Sequence, residues 1–395
     1  MRAETVIIFL HNMFGGPIGT DDHRSRAPRV FIYTTLIIGV SVTFFTLCIF
    51  DLHKILYQRD LVLSVIDLLM LLGIAATVLS IQTSTLMKYF YKPNVSIIQC
   101  LEDIDSHLYT LNMRRDPAQS LASNCAVGFG GAITVSLGYL LVNVLRINRA
   151  NGLIFGFKVY GLFVVFLMHG LFLVFCYQIL KRIRYMARHL EKMIATTMRH
   201  NDQPTSITEY VSMRFCRDLN SLATVQMQCF RAVNHLNEEC GLPNVTIFGM
   251  FFYVLTAKSF QLFYVCSIEF KQHGFQFNHM LEPTVLIMAV FGYFSIATYL
   301  GELVLRETQL VINNLHKFEA IHSIIQQKKN QSELVEQLGN QIMHQPICFT
   351  VMNFFQIDLK FFHLVSNLTL SFHALCHLYN EFLPFCRSWH QSERI

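Results

Sequence analysis

Charged residues are scarce in this chain of 395 residues, at 14%, whereas hydrophobic residues make up 53%. A soluble domain usually carries about 25% charged residues. Trp occurs once, against 35 Phe. This apolar surplus is too large for one soluble core, and it falls into blocks rather than being spread evenly. The composition therefore indicates a protein that crosses a membrane several times.

The chain also lacks the patterns of a disulfide framework, a metal site or an enzyme. Its 11 cysteines include no CxxC pair, and we interpret them as small apolar residues on helices. No Walker loop, GxSxG or HExxH motif occurs, so nothing favours an enzyme and no cofactor is expected. His373 and His377 lie four residues apart, but no third ligand accompanies them, so no metal site is predicted.

Seven apolar blocks approach the roughly 20 residues that a membrane-spanning helix requires. The predicted fold is therefore all-α, a polytopic membrane protein with seven transmembrane helices. The spans are expected at 30–50, 61–81, 121–145, 153–180, 245–266, 283–305 and 361–386.

The connecting segments predict the orientation. Most of the 31 Lys and Arg residues fall on the inner side if the N-terminus is cytosolic, as the positive-inside rule requires. Topology therefore explains the net charge of +5 better than an acidic partner such as nucleic acid does. We expect a cytosolic segment at 1–29, spans one to six within 30–305, long cytosolic helical loops at 82–120 and 181–243, cytosolic anchor helices at 306–360 and an extracellular tail at 387–395.

Parts of the inner segments carry apolar residues at helical spacing, notably 101–108, 180–193 and 315–342. Such patterns are typical of amphipathic helices. We expect these helices to extend the membrane spans into the cytosol and to pack there as an anchor region.

Two ionisable residues fall inside predicted spans, Asp67 in the second and Lys258 in the fifth. Charges in a membrane are costly and are therefore candidate functional residues. One hypothesis is a polar contact for a ligand in an outward-facing pocket, and the alternative is a purely structural pair.

Aromatic residues are dense in the fourth to sixth spans. Rings with a few polar groups suit a small organic ligand, although helix packing and lipid contact account for most of them. Besides Asp67 and Lys258, the pocket candidates are Tyr160, Tyr253, Phe260, Tyr264, Phe291, Tyr293 and Phe294.

The last span is unusually polar, with Ser366, Asn367 and Thr369 in its first half. Such a helix usually faces other protein or a water-filled path. Just before it, Asn353–Asp358 reads N-F-F-Q-I-D, which is close to a G-L-F-x-[IL]-D motif. Counting on without a gap, Ser371-Phe372 stands where that motif's family has Thr-Tyr, and Leu378-Tyr379 where it has Gln-Phe.

With this ending and organisation the chain resembles the insect gustatory receptors, as a divergent member. They belong to the seven-helix insect chemoreceptor channel superfamily, which includes the odorant receptors. The resemblance implies a ligand-gated, non-selective cation channel in the plasma membrane of a sensory neuron dendrite. Its implied partners are a small-molecule tastant, cations, membrane lipids and other gustatory receptor subunits in a homo- or hetero-tetramer.

The resemblance also implies that the seventh helices line the pore and that the gate is at the Gln-Phe position. The pore and gate residues carried over are Ser371, Phe372, Leu375, Leu378 and Tyr379. Leu378 in place of Gln makes the constriction more apolar, which favours gating by dewetting.

Two other functions share seven apolar helices. A G-protein-coupled receptor is disfavoured because the charge bias places the N-terminus inside and no NPxxY ends the last span. A transporter is less favoured because internal repeats and Gly/Pro-broken spans are not found in the sequence.

Overall fold

The computed structural model describes eight stretches of the chain, one further residue near its end and five isolated helical residues of the first predicted span. The stretches are 61–91, 97–111, 117–144, 152–199, 205–266, 277–325, 329–352, 354–371 and residue 374, and the isolated positions are 35, 38, 39, 42 and 46. The predicted segments 1–29 and 387–395 lie outside the described residues, as do most of the first span and the second half of the seventh.

The described chain is built almost entirely of helices, which confirms the all-α prediction. In chain order they are α1 (Leu61–Tyr91), α2 (Ile97–Thr110), α3 (Pro117–Val144), α4 (Gly152–Arg199), α5 (Thr205–Tyr264), α6 (Phe277–Ile325), α7 (Lys329–His344) and α8, the helical residues 359–371. Strands β1 (Thr350–Val351) and β2 (Phe355–Gln356) form an antiparallel hairpin ahead of α8.

Four of the helices are long and apolar enough to cross a membrane. Their candidate spans are Val65–Ser84 in α1, Phe155–Thr196 in α4, Met213–Tyr264 in α5 and Met280–Phe318 in α6. α3 contains a shorter apolar stretch, Gly130–Leu141. These five helices correspond to the predicted second to sixth spans, and α8 contains the start of the seventh.

The spanning helices are much longer than a bilayer is thick. α4, α5 and α6 have 48, 60 and 49 residues, which at 1.5 Å per residue gives about 72, 90 and 74 Å. The hydrocarbon core is only about 30 Å thick. Each span therefore continues well beyond the membrane as one helix, as predicted, while the side on which the extensions lie stays a prediction. The predicted amphipathic stretch at 101–108 lies in α2, a short helix that is separate from the spanning helices.

Small residues let the helices of the bundle approach closely. A Cβ atom at Gly170 of α4 would lie 3.3 Å from the carbonyl oxygen of Gly128 in α3, so these two helices touch through their backbones. A Cβ at Gly161 would collide with Ile74 of α1. Such close contacts between helices are typical of membrane bundles.

The hairpin is fixed to α5 by one amide side chain. Asn237 donates from Nδ2 to the carbonyl of Cys348 (3.0 Å), and its Oδ1 accepts from the backbone N–H of Thr350 (3.0 Å). Because the amide binds both the residue two positions before β1 and the first residue of β1, it fixes the position of this strand on α5. This contact places the start of α8 beside the bundle.

Candidate functional site

Lys258 lies at the centre of a charged cluster near one end of the bundle. Its side chain is only 1% exposed, yet its Nζ reaches side chains on three helices. It donates to Oδ1 of Asp67 on α1 (3.1 Å), to Oε1 of Glu282 on α6 (3.3 Å) and to Oε1 of Gln261 on α5 (2.8 Å). Asp67 and Lys258 thus pair, and Glu282 completes the cluster.

The three ionic groups differ in their access to solvent. The Asp67 side chain is 48% exposed and that of Glu282 is 10% exposed. A buried ammonium is tolerated only when its partners offset the cost of removing it from water. The cluster therefore links α1, α5 and α6, and Asp67 is its most exposed member.

The predicted sixth span begins at Pro283, so it leaves Glu282 outside the membrane-spanning helices. In the structure α6 begins earlier, at Phe277, so Glu282 lies within the helix.

Tyr253 strengthens the same junction between α5 and α1. Its hydroxyl donates to the carbonyl oxygen of Ile66, next to Asp67, over 2.8 Å. Tyr253 and Lys258 therefore both attach α5 to one turn of α1. The structure brings these three pocket candidates together.

A second part of the predicted pocket is a cluster of rings inside the bundle. Phe166 of α4 packs on Phe251 of α5 (centroids 5.7 Å apart) and on Tyr293 of α6 (5.0 Å). The Tyr293 hydroxyl lies against Gly131 of α3, where an added Cβ would be only 2.7 Å away. Helices α3 and α4 therefore contact Tyr293 of α6, and Phe251 of α5 joins the cluster through Phe166.

Phe294, the next residue of α6, faces the start of α8. Its ring lies 5.4 Å from Phe361 and 5.6 Å from Phe362. Phe361 in turn stacks on Phe355 of β2 at 4.3 Å. Phe291 also contacts Phe362 (5.5 Å) but is 46% exposed.

The remaining ring candidates are less enclosed. Tyr160 is 39% exposed on α4, and Phe260 and Tyr264 are half-buried on α5. The sequence could not separate these positions from the enclosed ones, because rings recur on every face of these helices.

The start of α8 is held in two ways. Asp358 caps the helix, its Oδ1 accepting from the backbone N–H of Phe361 over 2.9 Å. One residue earlier, the carbonyl of Ile357 packs so tightly on Gly301 of α6 that any side chain at Gly301 would collide with it. Of the predicted pore residues, Ser371 is exposed on α8, whereas Phe372, Leu375, Leu378 and Tyr379 lie outside the described residues.

The cysteines Cys100 and Cys348, which lie outside the spanning helices, have thiols of low reactivity. Burial raises the pKa of the Cys100 thiol on α2, and the nearby carboxylates of Asp103 and Glu239 raise it further. Burial also raises the pKa of Cys348. Both thiols stay protonated at neutral pH, as expected for residues that serve packing.

The amino-acid sequence, rather than the geometry of these contacts, identifies the family. Residues 17–370 match the model of the 7tm chemosensory receptors. The chain belongs to this chemosensory receptor family. It is a family of receptors and not of enzymes, and the superfamily named from the sequence ending is confirmed.

Solved receptor structures share the fold. The insect olfactory receptor OR5 from Machilis hrabei matches with a TM-score of 0.64 at 10% identity, over 94% of this chain and 97% of that receptor. Its complex with eugenol matches with a TM-score of 0.56 at 12% identity, over 94% and 96%. No protein sequence with a curated description matches the chain significantly.

Proposed function

We propose that this chemosensory receptor is a ligand-gated, non-selective cation channel of the gustatory type. A small organic tastant, bound within the second to sixth spans, opens a pore formed by the seventh helices. The family supports a chemosensory role, and a structurally similar olfactory receptor has been solved with eugenol, a small organic molecule.

The observation that carries this proposal is that α6 contacts both the candidate pocket and the start of α8. Tyr293 packs among the rings of the candidate pocket, and the next residue, Phe294, packs on Phe361 and Phe362 of α8. Gly301, two turns further along α6, touches the backbone at the start of α8. A shift of α6 caused by a ligand would therefore reach the pore helix through direct contact.

The surface of α8 supports assembly into a tetramer. Leu364, Leu368 and Leu370 are 57%, 49% and 67% exposed. In a pore of four subunits, a helix with exposed leucines and exposed polar groups such as Asn367 contacts its neighbours with one face and lines the water-filled path with another. We place the gate at Leu378 and Tyr379, and the protein in the plasma membrane of a sensory neuron dendrite, as the family resemblance implies.

The proposal is tested by whole-cell recording from cells that express the full chain while a panel of tastants is applied. The expected result is a tastant-evoked current that persists when Na⁺ and K⁺ are exchanged. Tyr379→Ala should raise the basal current because it widens the constriction. Surface-expressed protein that gives no current with any tastant, and no basal current in Tyr379→Ala, would contradict the channel function.

A further inference from the structure

His169 lies deep in the bundle and is surrounded by rings. It is fully buried, about 24 Å along α4 from the start of the predicted fourth span. Its ring lies 5.2 Å from both Phe248 and Phe251 of α5, 5.9 Å from Phe172 and 6.1 Å from Tyr293. Three helices therefore contribute to its surroundings.

Neither ring nitrogen of His169 has a hydrogen-bond partner among the described residues. The peptide group of Tyr293 lies near the ring but not in hydrogen-bond geometry. A neutral imidazole offers one donor and one acceptor, and leaving both unsatisfied in an apolar interior costs free energy. Phenylalanine could fill the same space without that cost, so packing alone does not account for a histidine here.

The rings around His169 continue into the candidate pocket. Phe251 and Tyr293 contact both His169 and Phe166. These shared rings connect His169 to the place where Gly131 of α3 makes room for the Tyr293 hydroxyl. A ligand that enters among these rings therefore meets a polar group at its inner end.

We propose that His169 determines ligand specificity by hydrogen bonding to a small neutral aromatic ligand. This inference rests on the proposed ligand site and adds the ligand's chemical class. The ligand's ring packs among Phe166, Phe251 and Tyr293, and its hydroxyl or carbonyl group satisfies the imidazole. An isostere without that group is rejected, because it leaves the buried nitrogens unpaired.

A matched pair of probes tests the proposal, since 4-ethylphenol and 4-ethyltoluene differ only by a hydroxyl in place of a methyl group. Binding is measured as the rise in Tm of the full-length receptor in detergent, and activity as whole-cell current. The receptor should bind 4-ethylphenol at roughly tenfold lower concentration than 4-ethyltoluene. His169→Phe should abolish this difference while still binding 4-ethyltoluene, and His169→Gln, which keeps a donor and an acceptor, should retain most of it.

His189 provides the control. It lies on the same helix, and its Nε2 also has no partner among the described residues. Because it is 20 residues further on, about 30 Å along the helix, it is far from the rings around His169. His189→Phe should therefore leave the preference unchanged. An unchanged preference in His169→Phe, or no binding of either probe, overturns the inference. Selective binding that depends on His169 without any current leaves the inference standing and instead contradicts the channel function.

Discussion

At the scale of the residue, Lys258 is the most deeply buried charged side chain of the described residues. Its ammonium lies between carboxylates from α1 and α6 and is almost fully removed from solvent. Removing one member of a buried ionic cluster is far more destabilising than replacing the whole cluster with neutral groups, because the remaining charges lose their partner.

Lys258→Ala should therefore lower the stability of the receptor by about 3 kcal/mol or more, because Asp67 and Glu282 would keep their charges without it. The measurement is the Tm of the purified receptor in detergent. Lys317→Ala, at an exposed lysine on α6, should leave the Tm unchanged.

The triple variant Lys258→Met, Asp67→Asn, Glu282→Gln should recover most of the lost stability, since no uncompensated charge remains. A triple variant as unstable as Lys258→Ala would show that packing of the lysine stem, rather than charge pairing, makes Lys258 important.

Asp67 is the most exposed member of the cluster, with 48% of its side chain exposed, and we propose that it contacts the ligand. Asp67→Asn should shift the ligand concentration for half-maximal current while leaving ion permeation unchanged. Glu302→Gln, which removes an exposed pair with Arg306, is the matched control and should not shift ligand potency. A change in permeation without a change in potency would remove Asp67 from the pocket.

The sequence predicted which residues carry charge in the membrane but not all of their partners. Asp67 and Lys258 stood out because they interrupt apolar runs. Glu282 did not, because nothing in a sequence marks where a helix passes from loop to membrane within one turn. The ring positions were not separable either. Tyr293 packs inside the bundle and Phe291 is exposed, but both are aromatic residues of the same apolar helix, and the sequence does not show which of them faces the bundle.

At the scale of the element, the junction between α6 and α8 is the feature that connects the proposed ligand site to the proposed pore helix. Gly301 allows the carbonyl of Ile357 to approach α6 more closely than any other residue would. The same junction contains the rings of Phe294, Phe361 and Phe362. Helix and hairpin thus meet over a small, tightly packed contact.

Gly301→Ala should push the start of α8 away from α6. We expect a loss of about 1–3 kcal/mol in stability and a lower ratio of evoked to basal current, because the two helices no longer move together. Gly292→Ala on the same helix is the control, since its Cβ would meet no atom within 4 Å and alanine is the better helix former. Equal effects of the two substitutions would contradict a special role for Gly301.

Long helices were predictable and the hairpin was not. Apolar runs and helical spacing predicted the spans and their extensions, because α4, α5 and α6 repeat those patterns over many turns. The strands β1 and β2 have two residues each, too few for any alternation to be visible. The attachment of β1 to α5 depends on Asn237, more than 110 positions away in the chain.

At the scale of the whole molecule, the chemosensory receptor family gives the architecture, and the orientation remains a prediction from the charge bias. An epitope tag at the N-terminus should be inaccessible to antibody on intact cells and accessible after permeabilisation, and a tag at the C-terminus should show the reverse. An accessible N-terminal tag on intact cells would favour a G-protein-coupled receptor over a channel.

The most direct test of the channel function uses the purified receptor in a planar lipid bilayer, where no other protein can supply the pore. If it is a ligand-gated channel, discrete single-channel openings should increase in frequency when a tastant that evokes whole-cell current is added, and both Na⁺ and K⁺ should carry the current. A bilayer that stays silent, although the same preparation binds the tastant, would contradict the conclusion that this chain itself forms a ligand-gated cation channel.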